Sequence, residues 1–228
     1  MKRTIYALLC LLMAAASVSA QDMNLAGTGL YRHQRSIQLT AGTQGVGAEF
    51  NYGLTNNLAL RTGVSFIPLT MNNAFPISGL SADSKITANF SNAHLLADFT
   101  PIKSFRFLRL VAGAAYFIQA KGSFYLQPNK NYNYGDIVLT PDQVGSVNLD
   151  ADWKGIAPYA GLGLVNIFPR RGFNVNLDLG GYYLSQPRTT IIGTGILDDN
   201  ASQNAQFERN MSAYRFLPVL QLNFNFKL

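Results

Sequence analysis

One cysteine, one tryptophan and two histidines occur in 228 residues, and this scarcity excludes whole classes of chemistry. Cys10 lies in an apolar stretch near the amino end, so the chain can build neither a disulfide framework nor a cysteine-ligated metal site. His33 and His94 have no His, Asp or Glu neighbour at metal-ligand spacing, and no metal or other cofactor is expected. Charged residues are also few, at 13%, about half the globular norm of about 25%. The hydrophobic share is an ordinary 48%, which excludes a disordered charged chain. The 18 basic and 12 acidic residues give a net charge of +6, but the excess is spread along the chain, and without a basic stripe nucleic acid is not an expected partner. No stretch beyond the amino end approaches the 18 consecutive apolar residues of a membrane-spanning helix.

The amino end reads as a targeting segment. Lys2 and Arg3 precede an apolar run from Ile5 to Ala16, and Ser17-Val18-Ser19-Ala20 supplies small residues at the spacing signal peptidase requires. The run is too short to cross a hydrocarbon core of about 30 Å. Residues 1–20 are therefore expected to be cleaved, leaving Gln21 first and removing Cys10.

What fills the remaining sequence is alternation. Phe216, Pro218, Leu220, Leu222, Phe224, Phe226 and Leu228 share one parity, while Gln221, Asn223, Asn225 and Lys227 occupy the other. Val175, Leu177 and Leu179 alternate in the same way with Asn174, Asn176 and Asp178, and Leu58, Leu60, Val64 and Phe66 with Arg61, Gly63 and Ser65. A period of two marks a strand. The procedure yields eight: 36–43, 46–54, 58–69, 86–99, 108–121, 154–167, 173–185 and 215–228. In the fourth, Ile86, Ala88 and Phe90 share a parity with Asn92, His94 and Asp98, and a bulge near Ser91 is expected to restore the faces.

Connections alternate too. Thr55 to Asn57, Thr100 to Phe107 and Phe168 to Gly172 are short, and the stretches near 70–85, 122–153 and 186–214 are long and rich in Asn, Asp, Ser, Gly and Pro. Only the tight first hairpin at Gln44 and Gly45 departs from this rhythm. The pattern predicts an all-β fold, an eight-stranded antiparallel up-and-down transmembrane β-barrel over residues 36–228, with residues 21–35 as a periplasmic leader. Eight strands return both termini to the short-turn rim and enclose a lumen that side chains fill, so no wide pore is expected.

The faces distinguish a membrane barrel from a soluble one. Apart from Lys154 at a strand end, no charge falls on the apolar parity of the strands, whereas the opposite parity carries Glu49, Arg61, Asp98, Arg109, Asp178 and Lys227 among many Gly and Ala residues, with Lys121 and Arg215 at strand ends. A water-facing surface is typically about 25–35% charged and is not so short of bulk. The nearly charge-free face suits lipid, where an Arg or Lys at mid-depth costs about 2–4 kcal/mol. Glu49, Arg61, Asp98, Arg109 and Asp178 then form a lumen charge network, and pairing is expected because unpaired buried charge is costly. A turn at 55–57 sets Asn51 opposite Arg61 with Glu49 diagonal to it. If residue 99 stands opposite 108, Asp98 lies directly across from Arg109.

Other candidate chemistry is weaker. His94 and Ser91 are the nearest histidine–serine pair, but their parities oppose, so a hydrolytic triad is not expected. Gly45-Val46-Gly47 and Gly161-Leu162-Gly163 lack the following helix of a phosphate cradle. Asp150 with Asp152, and Asp198 with Asp199, lack further ligands at calcium-loop spacing and read as solvated loop acids.

The run from Ile37 to Leu54, the segment Ala157-Pro158-Tyr159-Ala160-Gly161-Leu162-Gly163-Leu164 and the ending from Phe216 resemble the bacterial outer-membrane protein β-barrel domain family, small eight-stranded barrels of the outer membrane protein A and W type. The resemblance covers nearly all of the chain after the targeting segment. It implies a Gram-negative outer membrane, contact with outer-membrane lipid and lipopolysaccharide, assembly by the barrel insertion machinery, and a monomer. It also implies a carboxyl-terminal insertion signal in which Gln221 is the polar position and Phe224, Phe226 and Leu228 are apolar. Asn223 stands where glycine is usual, and Leu228 replaces the common final aromatic.

The expected function is a non-enzymatic barrel with a filled polar interior, serving envelope structure and surface contacts through long loops. The alternatives are a narrow porin-like channel for small or apolar molecules and, less favoured, a lipid A-modifying enzyme.

Overall fold

Between Ile37 and Ala41 apolar side chains turn one way, while Ser36, Gln38 and Thr40 turn the other and are buried. The same two-residue rhythm runs through all the long strands of the computed structural model, which describes residues 32–73, 82–101, 107–134, 137–167 and 172–228. The expected signal peptide and most of the expected leader lie outside these residues.

In chain order the strands are β1 (Arg35–Gly42), β2 (Gly45–Gly53), β3 (Leu58–Asn72), β4 (Ala82–Phe99) and β5 (Leu108–Pro128). The short β6 (Tyr132–Tyr134) and β7 (Ile137–Leu139), a one-turn helix α1 (Pro141–Val144) and β8 (Val147–Asp152) follow. Next come β9 (Gly155–Leu164), β10 (Phe173–Tyr183), β11 (Arg188–Gly193), a 3-10 helix (Gly195–Gln203), α2 (Asn204–Met211) and β12 (Phe216–Lys227). Eight of these strands form a closed antiparallel ring in the order β1-β2-β3-β4-β5-β9-β10-β12, and β12 pairs back onto β1 with Ile37 opposite Phe226. Closure leaves the ring without a sheet edge. Both ends of the ring's chain, at β1 and β12, lie at the rim of the short turns.

The ring encloses two layers. Polar and charged residues occupy the inner face toward the turn end: Gln38, Glu49, Arg61, Asp98, Arg109 and Asp178 are all at most 4% exposed. Apolar side chains occupy the outer face there: Val64, Leu95, Leu162 and Leu179 are 48–60% exposed. Phe66, Tyr116, Tyr183 and Phe216 border this outer belt toward the loop end, and Phe99 and Phe107 border it at the turn end. An inward-polar, outward-apolar wall is the inverse of a water-soluble barrel.

β3, β4 and β5 run well past the belt, and here the structure departs from the sequence-based expectations. Stretches 70–85, 122–153 and 186–214, expected as long loops, contain the upper ends of these strands together with β8, β11 and the helices. β8 pairs with the upper half of β5, and β11 with β8. The expected bulge is also relocated. The register does shift opposite Ser91 and Asn92, which face Gln119 and Phe117, but the additional residue is Ile118, in β5 rather than β4. β4 keeps one parity throughout, so Ile86, Ala88 and Phe90 face the same way as His94 and Asp98. What changes along β4 is not the side chains' direction but the polarity of each face. Below Ser91 the inside is polar and the outside apolar, and above it the inside is apolar while Asn89, Thr87 and Lys85 face out.

Candidate functional site

β2, β3, β4, β5 and β10 each contribute a charged side chain to one layer of the lumen. Arg61 reaches furthest, donating from Nη1 to Asp178 Oδ2 at 2.6 Å and to Glu49 Oε2 at 3.4 Å, and from Nη2 to Asp98 Oδ1 at 3.1 Å. Arg109 donates from Nη1 to Asp98 Oδ2 at 2.9 Å and from Nη2 to both oxygens of Asp178, at 2.7 and 2.9 Å. Each aspartate is thus clamped between two guanidinium groups. Charge-assisted bonds of this kind are stronger than neutral ones, and they work against the several kcal/mol of desolvation that each buried ion carries. Asn51 stands opposite Arg61 and Glu49 is diagonal to it. The expected register of β4 on β5 is two residues off: Phe99 faces Leu110, so Asp98 is opposite Val111 and meets Arg109 diagonally. Pairing survives the shift because a two-residue displacement returns both side chains to the same face.

Gly163 faces Arg109 across β9 and β5. A Cβ there would overlap the Arg109 side chain and the Asp178 carboxylate, so the missing side chain is what admits their contact.

Amides complete the layer, and sequence reading had not assigned them to it. Gln38 donates to Glu49 Oε2 at 2.7 Å, Gln221 donates to Glu49 Oε1 at 3.2 Å and to Asn223 Oδ1 at 2.7 Å, and Asn223 donates to Asp178 Oδ2 at 2.8 Å. His94 joins as well, its ring nitrogens 3.0 Å from Glu49 Oε1 and 3.0 Å from Asn92 Oδ1. The inward parity of these residues was readable in sequence, but their partners on distant strands were not. Ser91 lies on the opposite face of β4 from His94, and the histidine's hydrogen bonds run to Glu49 and Asn92 rather than to a hydroxyl.

Above the charges lies an aromatic layer. Tyr182, with no exposed surface, lies tilted against Tyr159 at a centroid distance of 4.7 Å and meets Phe117 edge-on at 5.4 Å. Leu96, Val111, Leu184 and Val219 pack with them, and Phe90, Trp153 and Leu217 lie against the cluster. Below the charges, a cavity of about 40 Å³ is lined by Ser36, Asn51, Asn174 and Asn225 together with Asp98 and Arg109. That is room for a few water molecules.

Within the carboxyl-terminal segment, Gln221 points inward. Phe226 packs on Phe173 at 5.1 Å, Phe224 lies 6.4 Å from the same ring, and Leu228 is exposed. Of the loop acids, Asp150 is paired with Lys121 at 3.1 Å.

No protein-family model matches the sequence, and no curated protein does. Among solved structures, Acinetobacter baumannii CarO2 superposes with a TM-score of 0.65 at 19% identity, over 86% of this chain and 98% of that one. Acinetobacter baumannii CarO superposes at 0.63 and 19% identity, over 87% and 99%. Both are outer-membrane β-barrel proteins, and at this identity the likeness is one of fold.

Proposed function

We propose that the chain is a non-enzymatic outer-membrane barrel whose lumen is closed, anchoring an extracellular lobe that makes surface contacts and contributing to envelope structure. The observation that carries this reading is the filling of the lumen by two successive layers, salt-bridged charges and packed aromatics, whose members Arg61, Asp98, Arg109, Asp178, Phe117 and Tyr182 are all at most 3% exposed. The apolar belt with its aromatic borders is the surface a bilayer requires. Outer-membrane lipid and lipopolysaccharide are its proposed surroundings, the barrel insertion machinery its route there, and a monomer its proposed state. In this orientation the short turns face the periplasm and the lobe built by β8, β11 and the helices faces outward.

A test is solute flux into proteoliposomes. Vesicles carrying the barrel should swell no faster in small sugars or amino acids than empty ones. Swelling that depends on solute size would replace the closed barrel with a narrow channel.

A further inference from the structure

Above the belt, the rows of directly paired residues run across five strands. One row is Met71-Ile86-Phe124-Leu149-Ile191, and the next toward the membrane is Leu69-Ala88-Gly122-Ala151-Thr189. Directly paired residues share a face, and this face continues into the lumen: Phe90, one row lower, lies tilted against Trp153 at a centroid distance of 6.3 Å, and Gly122 faces the same indole. The opposite face reads Thr70-Thr87-Ser123-Asp150-Thr190. The extracellular sheet is therefore amphipathic, with its polar face outward and an apolar concave face over the aromatic layer.

Among the described residues, the concave face is walled on one side only. α2 and the 3-10 helix pack at the β11 side. At the β3 side the wall is low: β2 pairs with β3 only as far as Val46 opposite Phe66, whereas β4 follows β3 to Asn72. Leu69 and Met71, on the inner face of this unpaired edge, are 41% and 46% exposed, and Val46 and Phe66 just below them are 58% and 51% exposed on the belt. The apolar concavity is thus continuous with the lipid-facing surface across the β1–β2 hairpin. Contiguous exposed apolar surface of this kind marks an interaction site.

We propose that this concave face holds an acyl chain of an outer-leaflet lipid, which enters over the low rim of the β1–β2 hairpin. The proposal rests on the outer-membrane reading above. A chain leaving the leaflet covers apolar surface that water would otherwise meet, and continuity with the belt lets it do so without its methylenes crossing water.

Trp153 is the only tryptophan and lies at the floor of the concavity, so its emission reports on the occupant. The barrel would be reconstituted in phosphatidylcholine vesicles whose acyl chains carry bromine, a contact quencher. A Trp153→Phe/Ile118→Trp variant provides the control, because Ile118 is on the outer belt and 62% exposed. Trp153 should lose emission to an extent comparable with the Ile118→Trp reporter. Leu69→Glu with Met71→Glu should relieve most of that loss, while Thr70→Glu, on the polar face of the same edge, should leave it unchanged. Circular dichroism establishes that each variant is folded, and Met71→Gln serves if the double substitution is not.

Quenching of the control but not of Trp153 overturns the proposal, as does quenching of Trp153 by aqueous iodide alone, which would mean a water-filled cup. Quenching that persists undiminished in the Leu69/Met71 variants also overturns it, since the lipid would then be reaching the indole by another route. Silence of both reporters in folded protein would instead remove the membrane reading itself.

Discussion

Arg61 on β3 and Asp178 on β10 are 117 residues apart in sequence and 2.6 Å apart across the lumen. The contact ties nearly opposite walls of the ring together. Through Asp98 it extends to Arg109, and through Glu49 to Gln38 and Gln221, so that strands from both halves of the chain share one hydrogen-bonded layer. Such a layer is expected to stabilise the barrel, because each buried charge has an opposite partner.

Removing one member should cost more than its share. Asp98→Asn leaves Arg61 and Arg109 each short of a carboxylate, and Arg109→Gln leaves Asp98 and Asp178 with one guanidinium between them. Each is expected to destabilise the barrel by about 3–5 kcal/mol, the range for breaking a buried pair. The double variant should lose clearly less than the sum. Urea-induced unfolding in lipid vesicles measures all three, and additive losses would mean that the two residues act independently.

Gly163→Ala tests the same layer without altering any charge. The new methyl would sit against Arg109 and Asp178, and overpacking there should cost about 1–3 kcal/mol. The same unfolding assay should find Gly161→Ala, which lies away from the charged groups, uncoupled from Asp98→Asn. Gly163→Ala should be coupled to it.

The border of the belt can be located with arginine. Leu95, 57% exposed at mid-belt, should cost about 2–4 kcal/mol as Leu95→Arg, whereas Ser123→Arg, on the outward face of β5 beyond the border, should cost about 0–1 kcal/mol. Folding yield into vesicles measures the difference. Equal yields would mean that the outer face does not contact lipid at that depth.

Truncating the aromatic layer separates stability from closure. Tyr182→Ala removes a fully buried ring between Tyr159 and Phe117, at an expected loss of about 3–5 kcal/mol. Ion flux should nonetheless stay at the wild-type level, because the charged layer below remains intact. Flux arising from this single substitution would assign closure to the aromatics alone.

Much of the ring was legible in the sequence because β1, β2, β9, β10 and β12 lie almost wholly within the belt, where apolar residues face out and, around the charged layer, polar ones face in. Phe224 and Asn223, or Leu177 and Asn176, declare their faces directly. β4 obeys that rule only up to Asn92. Beyond the belt, water lies outside and a core lies inside, so the rule inverts at constant side-chain direction, and Phe90, Ala88 and Ile86 resembled a slipped register. The bulge that sequence reasoning placed near Ser91 was a response to that inversion, while the actual extra residue, Ile118, is hidden in an apolar run of β5. The five lumen charges were identifiable by parity, but their bonding partners Gln38, Asn223 and His94 depend on which strands close the ring and at what register. No local pattern encodes that.

Ion conductance across a planar bilayer is the most direct test of the closed lumen. Purified wild-type barrel, inserted at a density established by labelling, should give no discrete conductance steps over the baseline. A variant with both layers breached, Tyr182→Ala together with Arg61→Ala, should give them if it remains folded. Reproducible unitary steps from the wild-type protein would contradict the account, since ions would then be passing between Arg61, Arg109, Asp98 and Asp178 rather than being excluded by their pairing.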